Sequence, residues 1–317
     1  MGGLREPMKN IILAACLLLS LVAIGCKKNK TTPPPPELSV TLLDPGEAPL
    51  DTLQYAIPPD TVVQGLLDVR DVEATSGRTE DSVNAFGVLP GFRLQLQAGP
   101  TVPLPKGTRY ILRIVTAESV LPKGITAREA EEAEEGVRAL QGMRGRFDLN
   151  PQGIVVDAEV PWAEGQQRIH PRVAIAIGNV RSAIATIPLP KEPVGIGAVW
   201  EVRRPLRIWS AWVTQVTRYE LTDRVGTRFR VTIKARQVAA PQVADLNPEL
   251  EMHVRSYEMN AEGYALADLS LPIALEASLE SKSTADIALV SPEKTETLTS
   301  ARSSVVRLVS KSDDSER

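Results

Sequence analysis

The 317-residue chain has few cysteines, few histidines and few aromatic side chains, and each shortage removes a class of function. Cys16 lies inside an N-terminal apolar run and Cys26 at its end. If that run is removed, no thiol pair remains for a disulfide framework or a thiolate metal site. The exported part must then be held together by its core alone. His170 and His253 are the two histidines. Each reads as a surface or capping residue, although spacing alone leaves a nucleophile–His pair or a His-bearing metal site open. There is no G-x-S-x-G elbow, no H-E-x-x-H and no phosphate loop. Gly195-Ile196-Gly197 lacks the third glycine and the following helix of a dinucleotide site. We therefore expect neither an enzyme nor a cofactor. Charge of one sign is also lacking: 36 Lys and Arg are mixed with 39 Asp and Glu, for a net charge of −3. A nucleic-acid partner, which needs a basic face, is not expected. No later apolar run approaches the length of a membrane span.

The chain opens with Arg5 and Lys9, then an apolar run from Ile11 to Ile24 broken by Ser20. At about 14 residues it is too short for a hydrocarbon core of ~30 Å, so it reads as the h-region of a signal peptide over residues 1–25. Met8, followed directly by Lys9, is an alternative start to Met1. The run ends Ala23-Ile24-Gly25-Cys26, which resembles the bacterial lipobox. The resemblance implies cleavage before Cys26, diacylglycerol on its thiol and a further acyl chain, such as palmitate, on the new amine. Several chains at ~0.8 kcal/mol per buried CH₂ anchor a protein durably. An ordinary signal peptide with a coincidental cysteine is the other reading. Lys27, Lys28 and Lys30 follow, then Pro33 to Pro36, which favour a semi-rigid polyproline II spacer. The lysines read as solvated linker charge, with attraction to anionic head groups as the alternative. Lys27 stands where Asp would resemble the inner-membrane retention signal of enteric bacteria. The expectation is a lipid-anchored envelope protein, on the outer membrane and facing the periplasm.

Beyond this address, Pro and Gly punctuate short runs of alternating and β-branched residues. Strands are predicted over Val62–Val72, Phe92–Gln97, Arg109–Thr116, Met143–Leu149, Ile154–Val160 and Val199–Val202. Others are predicted over Ala211–Leu221, Thr227–Gln237, Met252–Met259, Tyr264–Leu271 and Val305–Val309. Phe229, Val231 and Ile233 alternate with Arg230, Thr232 and Lys234, the pattern of a sheet covered on one side. Thr126-Ala127-Arg128-Glu129 forms a capping box before Ala130, Ala133, Val137 and Leu140, and Gly142 can close that helix. A second helix is predicted over 171–188, with Pro171 in its first turn and Val173, Ile177, Val180, Ile184 and Ile187 as its apolar stripe.

An internal repeat orders these elements. Gly107-Thr108-Arg109-Tyr110 matches Gly226-Thr227-Arg228-Phe229, and the segment from Phe147 to Gly153 matches that from Tyr257 to Gly263. Each half is expected to end in a hairpin with an Asn-x-x-Gly loop. The fold class is α+β, mostly antiparallel β: two repeated β halves, as a curved sheet or a sandwich, with two amphipathic helices. The predicted organisation is a lipidated Cys and Pro-rich tether over 26–61 and a first β half over 62–170 with a helix at 126–142. A linking helix at 171–188, a second β half over 189–309 and a disordered tail over 310–317 follow.

The segment Leu189-Pro190-Lys191-Glu192-Pro193-Val194-Gly195-Ile196-Gly197-Ala198-Val199-Trp200-Glu201-Val202 resembles a signature of a family of uncharacterised bacterial lipoproteins. In that family it follows a helix and precedes a second β half. The resemblance covers roughly Val62 to Leu289 and implies fold and localisation, with no activity. A looser likeness is to envelope lipoproteins that carry lipid, in which a curved antiparallel sheet wraps helices around an apolar cavity.

Two constellations suggest ligands. Asp148, Asn150, Gln152, Gly153 and Glu159 approach the calcium-loop pattern, in which oxygens at alternate positions wrap a hard cation. Gln152 departs from the preferred Asp or Asn and the flanks read as strands, so a structural hairpin is the competing reading. Trp200, Trp209 and Trp212 could form a stacking platform for sugar or lipid, or be buried in the sheet core. The acidic run from Glu129 to Glu135 reads as the wet face of its helix. The expected role is a non-enzymatic structural or interaction module, held to the membrane by its lipid, with lipid or an envelope protein as partner. Carriage of an apolar ligand such as lipid is the alternative.

Overall fold

In the computed structural model, residues 38–78, 91–121, 126–159, 186–208, 211–247 and 250–312 are described. They form one large, curved, antiparallel sheet of 13 strands with one short helix. The strands are β1 (Ser39–Asp44), β2 (Val63–Arg78), β3 (Gly91–Leu104), β4 (Gly107–Val120), β5 (Arg144–Leu149), β6 (Val155–Glu159) and β7 (Val199–Ile208). They continue as β8 (Ala211–Val225), β9 (Arg228–Ala239), β10 (Gln242–Asn247), β11 (Leu250–Asp268), β12 (Glu276–Val290) and β13 (Thr295–Ser312). Their order across the sheet is β1-β7-β8-β9-β11-β12-β13-β2-β3-β4-β5-β6, with β10 also paired to β11. The β13–β2 ladder joins the two runs of meander, and every pairing is antiparallel.

Alternation fixes which face is buried. One cross-strand row runs Trp200, Tyr219, Ile233, Gly263, Leu279, Val306, Val69 and Phe92. All of it lies on the concave side, where Trp200 and Tyr219 stack at 5.6 Å between ring centroids. The main core reaches from Trp200 and Val202 on β7 to Phe147 and Leu149 on β5, so the sheet curls enough for distant strands to share one cluster. Two irregular segments fill the space between them. Leu53, Tyr55 and Ile57 precede β2, and Ile187, Leu189 and Val194 precede β7; all six are buried. Their polar backbone is satisfied by distant elements, as burial demands. Tyr55 N–H donates to the Pro151 carbonyl (2.8 Å), Ala56 N–H to Leu269 (2.8 Å) and Leu189 N–H to Gln152 (2.8 Å). A smaller cluster gathers Ala211, Val213, Ala239, Ala244, Met252, Val254 and Ile287, toward the other end of β8, β9 and β11.

The helix, α1 (Ala127–Arg138), starts directly after Thr126, where the capping box predicts. Ala133, Val137 and Leu140 are buried, and Gly142, with φ of +82°, closes the turn by donating its N–H to the Ile114 carbonyl (2.8 Å). No helix among the described residues is long and apolar enough to cross a membrane.

Several expectations need correction. The two-helix fold class is not supported: α1 is the one helix among the described residues, and of the predicted 171–188 helix only 186–188 are described, as irregular chain. The tether does not reach residue 61. Ser39–Asp44 already pairs with β7, and Leu53, Tyr55 and Ile57 belong to the core, so folded chain begins within 26–61. The predicted hairpin at Asn260–Gly263 is instead the middle of β11, paired without interruption to β9 and β12. Gly263 is needed there for close approach: a Cβ would overlap the Ser278 carbonyl oxygen. β12, β1 and β10 lie outside the predicted strands. Residues 310–312, read as tail, complete β13.

Candidate functional site

The concave face carries a polar row between the two apolar clusters. Arg204, Gln215, Gln237 and Met259 stand opposite one another on β7, β8, β9 and β11. The Gln215 amide lies 2.9 Å from Thr217 Oγ1 and 2.8 Å from the Gln237 amide, and Gln237 lies 2.9 Å from Tyr257 Oη. The Arg204 guanidinium is 2.9 Å from Gln215 as well, which turns the amide oxygen toward it. Burial pushes the Tyr257 phenol up to about 12, with Arg302 opposing, so it stays neutral. Gln215, Gln237 and Thr217 are almost fully buried. These amides and hydroxyls satisfy one another, and a buried network in this state fixes register between strands. Sequence reasoning missed this row. The one available signal was polar residues at the inward phase of strands otherwise apolar there.

The calcium candidates lie on and beside the β5–β6 turn. Asp148 accepts two hydrogen bonds from Arg109, from Nε and Nη2 at 2.7 Å each. That guanidinium holds the Asp148 carboxyl below the usual carboxylate range against a smaller effect of burial. Asn150 Oδ1 accepts the N–H groups of Gln152 (3.0 Å) and Ile154 (2.9 Å), and Gly153 takes φ of +72°. Glu159 lies 3.4 Å from Arg146 on the neighbouring strand. The motif therefore forms the tight β5–β6 turn, with the Asp148 and Asn150 oxygens accepting from the chain itself. Among the described residues, no three His, Cys, Asp or Glu side chains gather as a metal site.

The repeated motif has a structural counterpart whose second part is shifted. Arg109 stands opposite Asp148, and Arg228 stands opposite Asp268 rather than Glu258. Arg228 Nε is 3.3 Å from Asp268 Oδ2. Burial raises Asp268, but the Ser270 hydroxyl and N–H, with Thr227 and Arg228, outweigh it and leave its carboxyl below the usual range.

Trp200 is fully buried, and its Nε1 donates to the Pro188 carbonyl at 2.8 Å. Trp212 is half-buried, its N–H donating to Gln242 Oε1, while Trp209 lies outside the described residues. His253 is half-buried and faces Glu251, two residues away on the same strand, at 3.1 Å; His170 is outside the described residues, as are Cys26 and the signal segment. On the outer face, Arg218, Glu220, Thr232 and Lys234 line a shallow depression. The segment from Leu189 to Val202 forms an irregular turn that delivers Trp200 to the sheet. A Cβ on Gly195 would overlap the Glu47 carbonyl oxygen, and Gly197, with φ of +82°, donates its N–H to Leu221 at 2.7 Å. No protein-family model matches the chain, and no curated protein matches it.

Proposed function

We propose that this protein is a bacterial envelope lipoprotein, anchored through acyl groups on Cys26, whose β-rich body is a non-enzymatic structural or interaction module. The anchor rests on the apolar run ending in Ala23-Ile24-Gly25-Cys26 and on the proline spacer after it. The outer membrane, with the body facing the periplasm, is the assigned place. The resemblance of the Leu189–Val202 segment to uncharacterised lipoproteins fits this assignment. The observation that carries the module reading is the filled concavity. Leu53, Tyr55, Ile57, Ile187 and Leu189 occupy space that a carried ligand would need. We read the Arg109–Asp148 and Arg228–Asp268 pairs as equivalent points of two repeated halves.

One observation favours the carrier alternative. On β12, Ala277 and Ser281 stand opposite the buried Ala265 and Ala261, yet they and their same-face neighbours Leu279, Ser283 and Ala285 are half-buried. A small-residue trough of this kind suits an apolar chain.

Two measurements test these readings. Cys26→Ser should abolish acylation and move the protein from the membrane to the soluble fraction. Unchanged processing and fractionation would remove the envelope assignment. Mass spectrometry of the natively purified protein should find no stoichiometric lipid beyond the anchor. A bound lipid at one per chain would replace the module by the carrier.

A further inference from the structure

Four exposed large apolar side chains lie on segments that meet at one corner of the sheet. Leu43 on β1, Leu50, Ile196 and Val225 at the β8–β9 turn are all exposed, Val225 by 74%. Their backbone is locked. Glu47 N–H donates to the Ile196 carbonyl (2.8 Å) and Gly195 N–H to Pro45 (2.8 Å), while Asp51 and Val194 exchange a pair of bonds (3.0 and 2.9 Å). Arg224 Nη2 ties β8 to Asp51 at 2.7 Å. A Cβ on Gly46 would overlap backbone atoms of Ile196 and Ala198, so the two segments are in close contact. These apolar groups therefore sit on a preorganised rim, which lowers the entropy cost of docking.

Charge selects what this rim fits. Residues 43–51, 191–197 and 222–228 hold the acids Asp44, Glu47, Asp51, Glu192 and Asp223 against Lys191, Arg224 and Arg228. Arg224 is committed to Asp51 and Arg228 to Asp268. Asp44, Glu47, Glu192 and Asp223 then remain against Lys191 and against Arg230, which stands opposite Asp223, so the rim keeps a net negative charge. An isologous contact with a second copy would set these carboxylates against one another. An anionic bilayer surface would be repelled in the same way. A protein segment that alternates apolar and basic side chains meets both demands.

We propose that the rim of Leu43, Leu50, Ile196 and Val225 docks a basic, apolar-anchored segment of another envelope protein. The inference rests on the interaction-module reading and names its surface.

The test uses the full chain in mild detergent, titrated by fluorescence anisotropy with a short labelled peptide alternating Lys and Leu. Its Glu/Leu counterpart is the control. The Lys/Leu peptide should bind and the Glu/Leu peptide should not. Val225→Ser with Ile196→Ser should weaken binding at least about tenfold, and so should Glu47→Lys with Asp223→Lys. Leu66→Ser with Val309→Ser, an exposed apolar pair elsewhere on the sheet, should leave it unchanged. Absent binding, or equal binding by all variants, would overturn the proposal. So would a dimer in sedimentation that the Val225 and Ile196 changes dissolve, or displacement of the peptide by dihexanoyl phosphatidylglycerol below its micelle concentration. None of these outcomes alters the fractionation of Cys26→Ser or the search for co-purifying lipid, so a failed rim and a failed module remain distinguishable.

Discussion

Arg109–Asp148 and Arg228–Asp268 begin from the same four-residue pattern and end in different structures. In both, an arginine two residues after a glycine stands opposite an aspartate at the end of the neighbouring strand. Arg109 grips Asp148 with two short, parallel hydrogen bonds, and the chain then reverses at Asn150–Gly153 into β6. Arg228 makes one longer contact, and Asp268 turns its other oxygen to the Ser270 N–H and hydroxyl as the chain leaves for β12. The glycines differ more. Gly107, with φ of +149°, lies against the Leu149 carbonyl oxygen, whereas Gly226, with φ of +60°, faces open space in a hairpin turn. A shared motif thus fixes which residues face each other, while the loop that follows decides how firmly the pair is held.

The sharpest way to separate the two sites is through their glycines. Gly107→Ala places a methyl group into the Leu149 carbonyl at a backbone angle unsuited to L-residues, and should cost roughly 3 kcal/mol or more. Gly226→Ala meets no neighbour and carries the conformational penalty alone, about 1 kcal/mol. Urea unfolding of both variants measures the difference, and equal costs would dissolve the comparison. A smaller contrast lies in the arginines. Lysine cannot reproduce a two-pronged contact, so Arg109→Lys should lose about 1 kcal/mol. Arg228 is largely exposed, and Arg228→Lys should lose under about 0.5 kcal/mol in the same assay.

These pairs also show where the sequence was readable. The capping box at Thr126, the alternation of Phe229, Val231 and Ile233, and the turn at Asn150–Gly153 are local signals, and the structure follows them. Gly263 was misread because turns and close cross-strand approach both require a missing Cβ, and only the register of β11 against β12 separates them. β12 gives a weak apolar signal, because from Ala277 to Ala285 its inward residues are Ala and Ser apart from Leu279, between long strands on both sides. β1 hides among prolines and pairs with a strand about 160 positions later, a partner no local pattern can supply. Of the candidate sites, burial of Trp200 followed from its size and setting. In the calcium pattern, Asp148 and Asn150 accept from the chain's own donors, which spacing along the sequence does not show. The polar row around Gln215 and Gln237 left only the faint signal of polar residues at an inward phase, since it exists only once four strands are aligned.

Acid titration gives the finest distinction between the two aspartates. Both carboxyls sit below their ordinary range, Asp148 chiefly through hydrogen bonds from Arg109, and Asp268 despite burial that pushes it up. A carboxylate depressed on folding adds stability that is complete above its unfolded value near pH 3.9 and disappears as the pH falls through the folded value. Neither pair should therefore tilt the stability curve between about pH 7 and pH 5, and both should contribute to its fall below about pH 4. Asp148→Asn should lower stability at neutral pH and flatten that acid limb, so that variant and native chain converge on acidification. Asp268→Asn should flatten it less, because burial already offsets part of what Ser270, Thr227 and Arg228 contribute. Urea unfolding at steps from about pH 6 to about pH 3 resolves the two slopes. An acid limb for Asp148→Asn as steep as that of the native chain would mean that Arg109 contributes nothing to holding that carboxylate.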